Sequence, residues 1–255
     1  MTRSHEDKVA VVTGAGQGIG QAYARRLAEN GAHVVVVDTA EPSETIALIE
    51  KTGARGIAHV GDVSEPDTAD AVAATVQEEF GRCDILVNNA GIYPMAPFEE
   101  LDLAFWRRMF AVNLDAMFLF CSALLPGMRS RKWGRIVNMT SNTVGLNITH
   151  CVPYIASKAG VIGFTRGLAS EVGVDGVTVN AIGPSLVQTP TTMNREAGPG
   201  GLSPAEEATF IADMQAIKRP ETPIDLVGTM AFLSSQDAAF ITGQTIMVDG
   251  GLVRL

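Results

Sequence analysis

The chain has 255 residues, 46% of them hydrophobic, and a formal net charge of −9. That is enough apolar material for one substantial α/β core, and the acidic balance argues against a nucleic-acid backbone or an anionic membrane surface as partner. Three cysteines, Cys83, Cys121 and Cys151, follow no metal spacing and leave one unpaired in any disulfide scheme, so a metal-free protein of a reducing, cytoplasmic compartment is expected.

Met1 to Lys8 is polar and lacks the apolar core of a secretory signal. Lys8 to Thr13 is then a β-branched run, read as a strand, which ends in Gly14-Ala15-Gly16-Gln17-Gly18-Ile19-Gly20. Gln21 to Asn30 has helical character and Gly31 stops it. A strand, a glycine loop and a helix make a phosphate cradle: glycines let the backbone approach a pyrophosphate, and the free N–H groups of the helix start welcome its charge. The simple G-x-G-x-x-G template fails, because Ile19 stands where it wants glycine. The pattern is instead Thr13-Gly14-x-x-x-Gly18-x-Gly20, with Gly14, Gln17, Gly18 and Ile19 as candidate cofactor contacts.

His33 to Val37 is a second strand and closes on Asp38. A carboxylate at this point can accept from both ribose hydroxyls of an adenosine. It also repels a 2′-phosphate, by about 4 kcal/mol per charge pair at ~4 Å and an effective dielectric of ~20. Thr39 and Ala40 supply no compensating cation, so NAD rather than NADP is expected.

The rhythm continues with a helix (43–52), a strand (56–60), Asp62-Val63, a helix (65–80) and a strand (84–87), followed by Asn88-Asn89-Ala90-Gly91. Alternating βα units with apolar strands predict a single-domain Rossmann-type α/β fold: a doubly wound parallel sheet of about seven strands with helices on both faces. Such sheets bind ligands at the carboxyl ends of their strands, which makes Asp62, Val63, Asn89, Ala90 and Gly91 candidates for contact with the adenosine. Ala111 to Met128 is the most apolar run, but Asn113, Asp115 and Pro126-Gly127 make it too short and too polar to cross a membrane.

Ile136 to Thr140 reads as a buried strand that delivers Ser141. Pro153 marks the first turn of a helix on which Tyr154 and Lys158, four residues apart, share one face. A phenol of pKa ~10 is a poor base at neutral pH; a neighbouring ammonium favours the phenolate, and a drop of ~3 units needs roughly 4 kcal/mol of differential interaction. Taken alone, Tyr-x-x-x-Lys occurs by chance in many helices. Farther along, Ala156, Gly160, Gly163 and Gly167 form a small-residue stripe opposite Tyr154 and Lys158. Each helical glycine costs about 1 kcal/mol relative to alanine, which predicts a closely approaching second helix at a two-fold interface.

Residues 190 to 222 break the βα rhythm. Gly198-Pro199-Gly200-Gly201 reads as a joint, and Pro204 to Ile217, with Phe210, Ile211 and Met214, as a short helix forming a lid over an apolar substrate. Thr245 to Val248 is the last strand, and Leu252 to Leu255 is expected to reach a neighbouring subunit.

Together, Thr13-Gly14-x-x-x-Gly18-x-Gly20, Asp62-Val63, Asn88 to Gly91, Asn113, Ser141, Tyr154-x-x-x-Lys158, Asn180 to Pro184 and Gly243 to Gly251 resemble the short-chain dehydrogenase/reductase family over nearly the whole chain. The resemblance implies Tyr154 as the acid/base, Lys158 as ribose ligand and depressor of the phenol pKa, and Ser141 as the group that orients a carbonyl. It implies an Asn113 that kinks its helix so that a water links Lys158 to solvent, and a homotetramer. It also implies cofactor contacts from Tyr154, Lys158 and Pro184, from the Val187 backbone and from the Thr189 hydroxyl. One departure stands out: Ser185 follows Pro184 where the family usually has glycine.

A finer likeness, in Phe80 to Leu86, Ile92 to Pro94, Pro184 to Val187 and Gly251 to Arg254, is to members acting on aryl-substituted secondary alcohols. Tyr93, Ser141, Thr143, His150, Tyr154 and Leu186, with Val144, Cys151 and Met193, are the candidate substrate contacts. The expected activity is NAD-dependent interconversion of an aromatic or alicyclic secondary alcohol and its ketone. The rivals are a 3-oxoacyl-thioester reductase, which usually prefers NADPH and a basic docking surface, and a catalytically silent dinucleotide sensor.

Overall fold

Valine dominates the first two strands, β1 (Val9–Thr13) and β2 (His33–Asp38), and its run is continuous rather than alternating because both faces of these strands are covered. In the computed structural model, which describes residues 4–196 and 201–254, they lie in a seven-stranded parallel sheet. The other strands are β3 (Gly56–Val60), β4 (Ile85–Asn88), β5 (Gly134–Met139), β6 (Val177–Pro184) and β7 (Thr245–Val248), in the order β3-β2-β1-β4-β5-β6-β7. Seven strands and a doubly wound topology match the sequence expectation.

Successive side chains of β1 feed two cores. Ala10 and Val12 meet α1 (Gly18–Glu29), α2 (Ser43–Glu50) and α9 (Pro223–Leu233) through Tyr23, Leu27, Ile49, Leu226 and Met230. Val9 and Val11 join a second cluster with α3 (Pro66–Phe80), α5 (Ala116–Ser130) and α6 (Val152–Val172) through Val72, Val76, Phe120, Leu124 and Val172. The strand order reverses between β1 and β4, so the loops leaving these two strands diverge to either side of a crevice at the carboxyl edge of the sheet.

Element ends agree with the sequence reading to within about three residues. The largest shift is at α1, which starts at Gly18 because the last two glycines of the loop already lie in its first turn. The apolar run at 111–128 was read as too short to span a membrane. The helix that contains it is in fact longer: α4 (Leu103–Phe110) and α5 join through a π-turn at Ala111–Asp115 into 28 continuous residues, with a mean hydropathy of 1.7 over their most apolar 18-residue stretch. Met109, Val112, Met117, Phe120, Leu124 and Met128 are buried in the protein, so the apolar face of this helix is occupied by the core.

The irregular segment holds α7 (Pro190–Met193) and α8 (Pro204–Met214), each with a side-chain capping box at its start. Contrary to expectation, α8 turns Phe210 and Met214 outward, 57% and 50% exposed, and packs inward through Ala208 and Ala212. Small residues four apart let the helix lie close to the body of the protein. The expected joint at Gly198-Pro199-Gly200, and Leu255, lie outside the described residues. The glycine stripe also divides. A Cβ on Gly160 would stand 2.8 Å from Leu114 Cδ2, so its close partner is the π-turn of the same chain, whereas Gly163 and Gly167 face open space.

Candidate active site

The turn between β1 and α1 is built so that no side chain could fill it. Gly14 and Gly18 both adopt φ of +61°, a Cβ on Gly14 would lie 2.8 Å from Ala90 Cα, and one on Gly20 would lie 2.2 Å from the Gly14 carbonyl oxygen. Thr13 Oγ1 accepts from the N–H groups of Asn89 and Ala90, at 3.0 and 3.1 Å, and ties this turn to the loop after β4. Asn89 Nδ2 donates to the carbonyls of Thr13 and Gly14, both at 2.9 Å. The Asn89 amide, predicted to touch the cofactor, is therefore committed to bracing the loop.

Asp38 Oδ2 accepts from Gly16 N–H at 2.8 Å and Oδ1 from Thr39 N–H at 2.8 Å, which sets the carboxylate beside the loop. A side-chain-free turn, a helix start without an acidic residue in its first turn, and a carboxylate on the flank fit a dinucleotide's pyrophosphate and adenosine ribose. Ile19 packs on the core beneath the turn, and exposed Gln17 donates to Thr191 Oγ1 at 3.2 Å. Asp62 accepts from Ser64 N–H and Oγ and pairs with Arg108 at 3.0 Å, beside buried Val63.

Across the crevice, β5 ends at Met139 and delivers Ser141, whose Oγ accepts from Thr143 N–H at 3.2 Å and which lies beside the Tyr154 phenol. Pro153 sits in the first turn of α6, as predicted, and the helix carries Tyr154 and Lys158. Lys158 is 4% exposed; its Nζ donates to the Met139 carbonyl at 2.9 Å and lies 5.8 Å from the centroid of the Tyr154 ring. Asn113, fully buried, occupies the π-turn, accepts from Ile92 N–H at 2.8 Å, and donates to Ile92 C=O at 3.0 Å and to Ser157 Oγ at 3.2 Å. A Cβ on Gly91 would meet Asn113 Oδ1 and Lys158 Nζ, each at 3.3 Å. Ser141, Tyr154, Lys158, Asn113 and Gly91, separated by up to 67 positions in sequence, thus converge.

Burial dominates the electrostatics of the free protein. It pushes the Tyr154 phenol up to about 12, against the lowering effect of Ser141. Burial alone brings Lys158 down to about 8. In the free protein desolvation penalises both ions, and the Lys158 ammonium spends a hydrogen bond on Met139.

On the substrate side, Tyr93 meets Tyr154 edge to face, with centroids 4.4 Å apart at 72°, and its hydroxyl lies 3.3 Å from Cys151 Sγ. Thr143 is 9% exposed and its hydroxyl has no protein partner. The Arg195–Glu207 ion pair links the end of α7 to α8. His150 enters through its backbone: its φ is +62° and its carbonyl accepts from Ala96 N–H at 3.1 Å. Leu186, Val144 and Met193 are half-buried.

Pro184 ends β6 opposite Val248, and buried Val187 forms a parallel bridge with Glu221. The Thr189 hydroxyl, implied to hold a carboxamide, accepts from Thr192 N–H at 3.2 Å as the cap of α7. Sequence reasoning missed Glu221, the Arg195–Glu207 pair and the contact of Asn142 Nδ2 with Asp249, at 3.2 Å. Nothing local marks any of these, because each joins residues distant in sequence or depends on burial.

Comparison with known proteins agrees with this geometry. The profile of the short chain dehydrogenases matches residues 8–200. The 3-oxoacyl-[acyl-carrier-protein] reductase FabG of Vibrio cholerae is 38% identical over 250 residues, 98% of this chain and 99% of the relative. The cis-4-hydroxycyclohexanecarboxylate dehydrogenase of Sinomonas cyclohexanicum is 38% identical over 253 residues, 98% of each chain. The crystal structure of levodione reductase superposes with a TM-score of 0.91 at 32% identity, covering 96% of this chain and 97% of that one. The chain belongs to the short-chain dehydrogenase/reductase family of oxidoreductases, which work with a nicotinamide dinucleotide, NAD or NADP.

Proposed function

We propose that the protein is an NAD-dependent dehydrogenase that interconverts a secondary alcohol, aromatic or alicyclic, and its ketone. The observation that carries this reading is the meeting of Ser141 and the Tyr154 phenol with buried Lys158, whose Nζ lies 5.8 Å from the Tyr154 ring, across from a glycine turn flanked by Asp38. When bound, the nicotinamide supplies the hydride acceptor or donor. Ser141 Oγ steadies the substrate oxygen, and the Tyr154 phenol gives a proton to that oxygen in ketone reduction or, as phenolate, takes one in alcohol oxidation. The Lys158 ammonium offsets the phenolate charge, and Asn113 holds the main chain at Ile92 beside it.

Asp38 favours NAD, because its carboxylate, already fixed by Gly16 and Thr39, stands where a 2′-phosphate would bring like charge. Tyr93 and Tyr154 present aromatic faces that suit a flat or cyclic substrate. Residues 190–222 serve as the lid, the chain works as one domain, its three buried free thiols suit a reducing cytoplasm, and it assembles as a homotetramer.

A second reading is favoured by the full-length similarity to the Vibrio reductase: reduction of a 3-oxoacyl thioester. One panel separates them. Formation of NADH is followed with 1-phenylethanol, cyclohexanol and 4-hydroxycyclohexanecarboxylate, and consumption of NADPH with acetoacetyl thioester. Turnover of a cyclic or aryl alcohol with at least tenfold preference for NAD supports the first reading; thioester reduction with tenfold preference for NADPH replaces it with the second.

A further inference from the structure

Glu221 is 5% exposed, in a chain whose other glutamates are mostly on the surface. It leads into α9 yet holds the loop after β6 at three places. Its Oε2 accepts from Ser185 N–H at 2.8 Å, its backbone carbonyl accepts from Gln188 N–H at 2.8 Å, and it forms the parallel bridge with Val187. Oε1 is buried without a partner. Ser185 is also the position at which this chain departs from its family's usual glycine, so the N–H that Glu221 secures belongs to the residue whose backbone the departure changes.

From these contacts we infer that Glu221 is a positioning residue for the nicotinamide end of the cofactor site, fixing residues 185–188 so that the Val187 backbone meets the carboxamide. The inference rests on the functional reading above, which puts the nicotinamide against this loop.

The groups facing Glu221 explain why a carboxyl is tolerated there. Asp225 and Asp249 add negative potential, Arg219 is engaged by Asp225 at 2.7 Å, and Tyr23 approaches from α1. Asp249 is itself saturated by the N–H groups of Gly251 and Val253, at 3.0 and 2.8 Å, and by Asn142. Burial first, and then the two aspartates, push Glu221 up to about 8. At neutral pH it is a neutral acid that holds Ser185 through a carbonyl-type oxygen, which a glutamine amide reproduces.

The test compares Glu221→Gln and Glu221→Ala with the wild type, measuring KM for NAD, kcat, and the Kd of ADP-ribose, which lacks the nicotinamide. Glu221→Gln should stay within twofold of wild type in all three. Glu221→Ala should raise the KM for NAD at least tenfold and lower kcat, with ADP-ribose affinity within twofold. Equal weakening of NAD and ADP-ribose, an unchanged KM in Glu221→Ala, or a tenfold rise in Glu221→Gln overturns the proposal. Should the alanine variant fail to fold, the glutamine arm decides alone, because a wild-type KM there is required. Wild-type protein that binds ADP-ribose no more weakly than NAD would instead remove the underlying placement of the nicotinamide, a failure visible before any substitution is made.

Discussion

At Tyr154 the free protein favours the protonated phenol, held up to about 12 by burial, so a neutral-pH proton donor is in place for ketone reduction and the oxidative direction must recruit positive charge. Removing only the hydroxyl isolates that role. Tyr154→Phe is expected to lower kcat by at least ~10³-fold, since general acid/base groups contribute 10²–10⁴. Dinucleotide affinity, read by NADH fluorescence, should change less than fivefold; retained turnover would take Tyr154 out of the mechanism. Glu221 offers a prediction on stability. Its folded pKa is raised from 4.5 to about 8, so the native state keeps a proton that the unfolded chain releases. The stability it contributes is full below pH 4.5 and is lost as pH rises through 8. Melting curves of wild type and Glu221→Gln should therefore diverge in the variant's favour between pH 5 and 8 and run parallel above that; parallel curves throughout would mean that the carboxyl ionises normally.

Among the elements, the π-turn between α4 and α5 does most to assemble the site, because the extra residue in the turn directs Asn113 at both polar groups of Ile92 and at Ser157. Asn113→Ala leaves the half-buried Ile92 N–H and C=O without side-chain partners, two lost bonds at about 1 kcal/mol each. Chemical denaturation should show that loss together with a fall in kcat; a stability change under 0.5 kcal/mol would make the Asn113 bonds dispensable. The πturn was not legible in the sequence, since one inserted residue within a helix leaves no periodic trace, and Asn113 acquired its role only through the family resemblance. The strands were legible because parallel strands covered on both faces must be apolar throughout, as Val34 to Val37 are. Gly14, Gly18 and Gly20 were legible because phosphate approach forbids Cβ atoms. The outward turn of Phe210 and Met214 was not, for a helix with apolar residues on two sides does not say which side is buried. Nor was the burial of Glu221, which depends on three segments meeting.

Among the described residues, large apolar side chains remain exposed at several places besides α8, and two of these are helical surfaces on opposite faces of the sheet. On α5, Phe118 is 60% exposed, in the same helical layer as Gly163 and Gly167 of α6, which have nothing within 4 Å of a built Cβ. On the opposite face of the sheet, Ile224 and Phe232 of α9 are 64% and 41% exposed, and Phe240, which follows α9, is fully exposed. Burying one such phenylalanine is worth about 2 kcal/mol, so surfaces of this kind favour association. If each surface pairs with its own copy about a two-fold axis, the two axes close at four subunits. Sedimentation equilibrium at micromolar concentration should report a tetramer. Gly163→Trp, which adds bulk only where a second helix would approach, should leave a dimer held by the α9 surface. Phe240→Asp should leave the complementary dimer, and the double variant a monomer with its fold intact by circular dichroism. A wild-type monomer would overturn the assembly, and a tetramer unaffected by either substitution would move the interfaces to other surfaces.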